Sequence, residues 1–253
     1  MGLAPTERFS SRVENYVKYR PHYPDAVLDL LRIECGLSPA SVVADIGSGT
    51  GISTELLLQS GAVVYAIEPN REMREAAEAM LGDRANFRSM EGTAEATGLP
   101  VRSVDLIVAG QAFHWFDHAR ARQEFQRIVR PDGWVALMWN ERISGGSEFL
   151  DGYEKILQEY APEYLEVRHK EFDTAKLAPF FRGSDVRVAT YPNGQAFDLD
   201  GLKGRVLSSS YAPEAGQPEH EPMMRALEAL FARTARDGKV DFLYETQVYF
   251  GRI

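Results

Sequence analysis

The chain has 253 residues, 44% hydrophobic and 26% charged, with a formal net charge of −9, which is the make-up of a globular protein able to bury a sizeable core. The 28 Lys and Arg residues are scattered without a basic run, which argues against a nucleic-acid partner, and no apolar run approaches the ~18 residues that would cross a membrane. The single cysteine, Cys35, can form no internal disulfide and MGLAPTERFSSR lacks an apolar signal core, so a reducing cytoplasm is the expected setting.

Thr6 is placed to cap a first helix in which Phe9, Val13, Tyr16 and Val17 form one apolar stripe, ended by Arg20-Pro21. A second helix is expected over 25–33 or slightly beyond, before Gly36 and Pro39. Strand and helix then alternate: strand 42–46, helix 51–59, strand 62–67, and a helix capped by Asn70 that carries Met73, Ala76, Ala77, Met80 and Leu81 on one face. Strands follow at 85–89 and 105–109. Asp117 caps a helix that buries Ala121, Phe125, Ile128 and Val129, and after RPDG a strand is expected at 134–139. Uniformly apolar strands alternating with helices predict an α/β fold with a doubly wound, mostly parallel sheet and right-handed crossovers.

From Gly145 the rhythm becomes helical and aromatic, broken by Pro162, Pro179 and Pro192, with loop signals at YPNG and SYAPEAGQPEHEP and a weaker strand candidate at Val186 and Val188. A helix around Met223, Leu227, Leu230 and Phe231 precedes a strand whose Val240, Phe242, Tyr244, Thr246, Val248 and Phe250 share one face. The expected organisation is one domain, with an N-terminal helical lid (1–40), a ligand-binding core (41–140), a substrate-side helical insertion (141–215) and a closing helix and antiparallel strand (216–253).

The chemistry gathers after the first strand. Glycines 47, 49 and 51 give G-x-G-x-G, whereas a dinucleotide fingerprint needs G-x-G-x-x-G, and Ile52 occupies its third glycine position. No Walker lysine is present and no Arg lies in 47–58 to balance a phosphate. Glu68, closing the second strand, is placed to accept from both hydroxyls of a ribose, Asp45 to orient an amine, and the bare backbone at Gly47 and Gly49 to allow close approach. A nucleoside with a cationic or zwitterionic remainder suits this loop better than a nucleotide. A nucleotide-dependent dehydrogenase and a non-catalytic nucleoside-binding protein are the alternatives.

VVADIGSGTG, AIEPN, EGTAEATGLP, VDLIVAGQAFHWFD and RIVRPDGWVALMWNE resemble, in order and spacing, the successive motifs of class I S-adenosylmethionine-dependent methyltransferases. FSSRVENYVKYRPHYP and FHWFD resemble more narrowly the methyltransferase type 11, trans-aconitate methyltransferase-like small-molecule branch. The resemblance implies a seven-stranded sheet in the order 3-2-1-4-5-7-6 with the last strand antiparallel. It also implies S-adenosylmethionine as methyl donor and S-adenosylhomocysteine as product. Carried over by position, Asp45, Gly47, Ser48 and Gly49 line the amino-acid end and Glu68 the ribose. Pro69, Asn70 and Met73 flank the adenine, while Thr93, Ala94 and Glu95 reach its edge, Glu95 substituting for the family's usual Asp. Gln111 and Ala112 lie next to the sulfonium.

Arg20, with Tyr16, Tyr19 and Tyr23, either forms a lid that meets the cofactor's carboxylate or ends a helix packed on the domain. The acceptor is expected to be a small molecule offering an oxygen, carboxylate or hydroxyl, since no Asn-Pro-Pro-Tyr element for amide or base nitrogens is present. His114 is the candidate base if a proton must leave; His114, Trp115 and Phe116 are otherwise an aromatic plug. His-x-x-Asp-His at 114–118 straddles a strand end and a helix start, so no metal is expected. The acceptor pocket is expected between FHWF and the insertion, walled by Tyr153, Tyr160, Tyr164, Phe180 and Phe181, unless these form the insertion's own core. Oligomeric state has no signature in the sequence.

Overall fold

The computed structural model describes residues 13–164, 173–182 and 186–253. Seven strands form one sheet: β1 Val42–Ile46, β2 Val63–Ile67, β3 Phe87–Met90, β4 Val104–Gly110, β5 Val129–Arg142, β6 Arg187–Phe197 and β7 Val240–Gly251. Their order is β3-β2-β1-β4-β5-β7-β6. β1 pairs in parallel with β2 and β4, β2 with β3 and β4 with β5, while β7 runs antiparallel to both neighbours. This is the mostly parallel methyltransferase-type sheet that the motifs imply. The helices up to residue 160 are α1 Val13–Tyr19, α2 Asp25–Cys35, α3 Ile52–Leu58, α4 Arg71–Leu81, α5 His118–Ile128 and α6 Glu148–Tyr160. Thr6 and Phe9, expected to open the first helix, lie outside the described residues.

Alternate residues of the same strands feed opposite cores, as a pleated strand requires. Val43, Leu106, Val108, Ala136 and Met138 pack with α2 and α3 through Leu31 and Leu57. Ala44, Ile107, Ala109, Val135 and Leu137 pack on the other face with Ala121, Phe125 and Ile128 of α5. Both faces are therefore covered, which is why these strands read as unbroken apolar runs. Asn70 accepts the Met73 amide at 2.9 Å and Asp117 accepts those of Ala119 and Arg120, so both expected caps form.

Two segments differ from the expected pattern. RPDG, expected as the turn before β5, is bulged out of that strand: Val129 pairs Val104, the register shifts, and Trp134 then pairs Leu106. YPNG, read as a loop signal, lies inside β6, where Pro192 stands opposite Glu245. β6 is the edge strand, so a proline that cannot donate leaves no ladder bond unmade on its open side. The 141–215 stretch thus contributes a strand of the sheet as well as helices. A third core joins α6 and the helices Leu199–Leu207 and His220–Thr234 to β7 through Tyr153, Leu202, Leu227 and Phe242.

Candidate active site

The chain leaves β1 through three residues in the left-handed region, Gly47 (φ 68), Gly49 (φ 55) and Gly51 (φ 93). A Cβ on Gly47 would stand 2.6 Å from the Ala112 Cβ, so the loop and the end of β4 approach as closely as they do only because Gly47 has no side chain. Gly51 is equally constrained: a Cβ there would meet Leu81 Cδ1 of α4 at 2.8 Å. The close packing that the third glycine of a dinucleotide loop provides occurs here one residue earlier, which accounts for Ile52.

Glu68 holds this loop. Its Oε2 accepts the Gly49 amide at 2.9 Å and its Oε1 the Asn70 amide at 2.9 Å. Burial pushes its carboxyl up, and the two amides and the Arg74 charge oppose that shift. A cavity of about 230 Å³ opens beside it, lined among others by Gly47, Gly49, Glu68, Pro69, Asn70 and Met73 from one side. Thr93, Ala94 and Glu95 line it from the turn after β3, closed by reciprocal amide bonds between Thr93 and Ala96 at 3.2 Å, and Gln111 and Ala112 from the end of β4. Gln111 is a non-glycine residue with φ 57, pinned by its amide to Met138 O at 2.8 Å and by Nε2 to Asn140 O at 3.2 Å. Strain of this kind, ~1–2 kcal/mol, is kept where the surrounding structure enforces it, typically at functional walls.

A second, smaller cavity of about 50 Å³ shares Tyr16, Gly47, Gly49, Gly110 and Gln111 with the first and adds Ser48, Arg20, Asn140 and Arg205. Arg20 donates from Nη2 to Ser208 O at 2.8 Å and lies over the Tyr16 ring. Burial, then the nearby charge of Arg205, lowers its pKa. Side-chain amides tie the end of α1 down: Asn193 Nδ2 to His22 O at 2.8 Å, Gln195 Nε2 to Tyr19 O at 3.2 Å and Asn140 Nδ2 to Pro21 O at 3.3 Å. Tyr19 packs on Gly204, where any Cβ would overlap its ring.

Asp45 and His114 are placed differently from the other expected site residues. Asp45 is fully buried behind the loop and lines neither cavity. Its Oδ2 accepts from Ser53 Oγ at 2.7 Å and Thr54 Oγ1 at 2.6 Å, and its Oδ1 has no partner. Burial raises its pKa to about 6 against the opposing hydroxyl bonds. His114 lies on a short 3-10 turn with its ring 4.7 Å from that of Trp115; Trp115 lines the larger cavity and His114 neither. His118 stacks on Phe113 at 4.3 Å, and Asp117 is the α5 cap. Of the expected pocket-wall aromatics, Phe180 and Phe181 pack with Phe113 and Phe125 on one face, while Tyr153 and Tyr164 join the third core.

Asn140 lies at the end of the RIVRPDGWVALMWNE motif and Arg205 in none. For Arg205 the one signal was spacing: it lies three residues after Leu202 and one before Val206, both fully buried, so it falls on the apolar stripe of its helix.

A family profile described as a methyltransferase domain matches residues 44–137. A methyltransferase-named protein of Dictyostelium discoideum is 31% identical over 201 residues, covering 76% of this chain and 73% of the relative. The chain belongs to the class I S-adenosylmethionine-dependent methyltransferases. A methyltransferase-like protein of Schizosaccharomyces pombe is 25% identical over 248 residues, covering 95% and 93%. A solved structure titled as a type II methyltransferase from Anaeromyxobacter dehalogenans shares the fold with a TM-score of 0.67 at 22% identity, covering 92% of this chain and 98% of that one.

The residues present fit the methyl donor this family uses. The bare Gly47 backbone opposite Ala112, the buried Glu68 and the unpartnered Asp45 Oδ1 supply close approach, a ribose acceptor and a negative charge behind the loop. Among the described residues, no helix is long and apolar enough to cross a membrane.

Proposed function

We propose that this methyltransferase acts on an oxygen of a small-molecule acceptor, holding S-adenosylmethionine in the larger cavity and admitting the acceptor from the side of the smaller one. When bound, the cofactor supplies an electrophilic methyl group on a sulfonium that departs as a neutral thioether. The protein's part is then to fix the line of approach and keep water out, the entropic and desolvation work that supports such a displacement. In this assignment Glu68 holds the ribose, Pro69, Asn70 and Met73 the adenine face, and Thr93, Ala94 and Glu95 its edge. Gly47, Ser48, Gly49 and Arg20 receive the amino-acid end, with Asp45 acting through the loop from behind. Gln111 and Ala112 border the reacting centre. Residues 13–23 cover the site, with 41–140 as the cofactor core and 141–215 on the acceptor side.

The observation that carries the oxygen assignment is the make-up of the smaller cavity's wall. Asn140, Gln111, Arg20 and Arg205 offer amide and guanidinium groups, and no histidine lines either cavity. A carboxylate acceptor loses no proton on methylation and needs no base, so it suits this wall better than an amine. The test is calorimetric titration with S-adenosylhomocysteine, S-adenosylmethionine and NAD, followed by labelled-methyl transfer to panels of small acids, phenols and amines. Binding of the first two but not NAD, with methyl incorporation into the acids, is the expected result. Incorporation confined to amines would refute the oxygen assignment.

A further inference from the structure

The connector between α1 and α2 is gripped by side chains of β5 and β6. Pro21 has no amide with which to continue α1, so the carbonyls of the last helical residue and of the connector need donors from elsewhere. Four successive ones find a carboxamide of the sheet. Gln195 Nε2 reaches Tyr19 O at 3.2 Å and Arg20 O at 3.4 Å, Asn140 Nδ2 reaches Pro21 O at 3.3 Å, and Asn193 Nδ2 reaches His22 O at 2.8 Å. The oxygens of the same carboxamides are satisfied within the sheet, which turns each nitrogen toward the connector. Gln195 Oε1 accepts from the Tyr244 hydroxyl at 3.2 Å, Asn193 Oδ1 from the Gly194 amide at 2.8 Å, and Asn140 Oδ1 from Thr246 Oγ1.

Asn193 and Gln195 belong to the YPNGQ stretch of β6, and Asn, Pro and Gly are poor strand formers. Two residues apart, their side chains leave the strand on one side, and the grip on the connector accounts for an asparagine in that place. What the grip holds is a wall of the site. Tyr16 and Arg20, four residues apart, line the smaller cavity together with Gly47, Ser48 and Gly49. The Arg20 guanidinium lies 4.8 Å from the Tyr16 ring centroid and donates from Nη2 to Ser208 O at 2.8 Å, while its Nε is buried without a partner among the described residues. The reach of this side chain is set by its backbone, and its own carbonyl is one of the four that are held. The Tyr19 ring against Gly204 and the His22–Glu55 pair at 3.2 Å fasten the segment independently. Loss of one carboxamide therefore shifts the connector without releasing it.

We propose that Asn193 and Gln195 are positioning residues for the methyl donor: they fix the connector and thereby hold Arg20 where it pairs with the carboxylate of the cofactor's amino-acid end. Neither lines either cavity, so both act through Arg20 and not by contact. This rests on the cofactor placement proposed above, in which Arg20 receives that end. A guanidinium–carboxylate pair depends on placement to within about 0.5 Å. A displaced connector weakens the hold on the amino-acid end and leaves the adenosine end, assigned to Glu68 and the residues after it, undisturbed.

The experiment is calorimetric titration of the full chain with S-adenosylhomocysteine and with 5′-methylthioadenosine, which carries the same adenosine and thioether sulfur but no amino-acid end. Arg20→Ala measures what the arginine contributes and should weaken S-adenosylhomocysteine about tenfold or more. Gln195→Met and Asn193→Ala, shown by circular dichroism to be folded, should each weaken S-adenosylhomocysteine about fivefold or more and 5′-methylthioadenosine by less than about twofold. Added to Arg20→Ala they should weaken neither ligand further, since an effect exerted through Arg20 vanishes with it. Equal losses for the two ligands, or a loss that persists without Arg20, would overturn the proposal and make the carboxamides mere caps of α1. Unchanged S-adenosylhomocysteine affinity in both variants would overturn it as well, and either variant decides the matter if the other does not fold. Wild-type affinity in Arg20→Ala itself is a different result: it would overturn the cofactor placement, and the positioning role would fall with it.

Discussion

Replacing Glu68 with Gln tests the cofactor site at the residue that does two things at once. In the ligand-free protein its two oxygens accept one amide each, from Gly49 and Asn70, both at 2.9 Å. Gln offers one oxygen and one NH₂, so whichever amide faces the NH₂ loses its acceptor and meets another donor. One charge-assisted bond is worth about 1.5–3 kcal/mol, and this sets the expected loss of folding stability. A ribose diol suffers the same arithmetic: a carboxylate can accept from both hydroxyls, a carboxamide oxygen from one without charge assistance. A loss of about 2–3 kcal/mol corresponds to roughly 30- to 150-fold in dissociation constant for S-adenosylhomocysteine. The assay is calorimetric titration at pH 7 on protein shown by circular dichroism to be folded. Affinity within threefold of wild type would remove Glu68 from the ribose site and leave it only the loop amides.

Gly47→Ala forces a side chain into the left-handed region and to 2.6 Å from Ala112 Cβ; a stability loss of about 2 kcal/mol or more is expected in urea unfolding, with at least tenfold weaker S-adenosylhomocysteine binding, and a variant normal in both would refute the close-approach argument. Asp45, raised from 3.8 to about 6 by burial, is protonated in both folded and unfolded chains at low pH, and its contribution to stability is lost as pH rises from about 4 through 6, by about 3 kcal/mol. The wild-type stability minus that of Asp45→Asn, from urea unfolding of the unliganded protein, should fall by that amount between pH 4 and 7; a flat difference would show that Asp45 is not desolvated. His114→Ala should leave S-adenosylhomocysteine affinity unchanged and, with a carboxylate acceptor, turnover within about threefold; a loss of ~10²-fold would mean that a proton is taken and that the acceptor is a hydroxyl or amine.

What the sequence made legible follows from how local each cause is. β1 was bounded to the residue because Val42–Ile46 is apolar throughout and ends at an Asp-x-Gly turn, and the Asn70 and Asp117 caps are decided within four residues of chain. Glu68 and the glycines were legible for the same reason. β6 was obscured because its YPNG segment is tolerated only at the edge of a sheet, and edge position is a property of topology rather than of any window of sequence. His114 shows where spacing runs out. Gln111, at φ 57, follows the end of β4, and Trp115 and Phe116, not His114, line the larger cavity. Which neighbour is presented is decided by the local backbone, and no spacing rule contains it.

The net charge of −9 excludes a broad basic surface but says nothing of what lies inside. Charge on the exterior acts through water and is screened within about 8–10 Å at ordinary salt, whereas charge in a desolvated pocket keeps most of its field. An acidic exterior slows the approach of an acidic molecule only weakly under those conditions, while Arg20 and Arg205, in the wall of the smaller cavity, act at short range. A locally basic cavity wall and overall acidity are therefore compatible in one small protein. The first is set by Arg20 and Arg205, brought together from the end of α1 and the helix Leu199–Leu207, and the second by 37 carboxylates spread over the chain. Composition reports the second and only the fold assembles the first, which is why Arg205 stayed invisible in a sequence whose cofactor loop could be read directly.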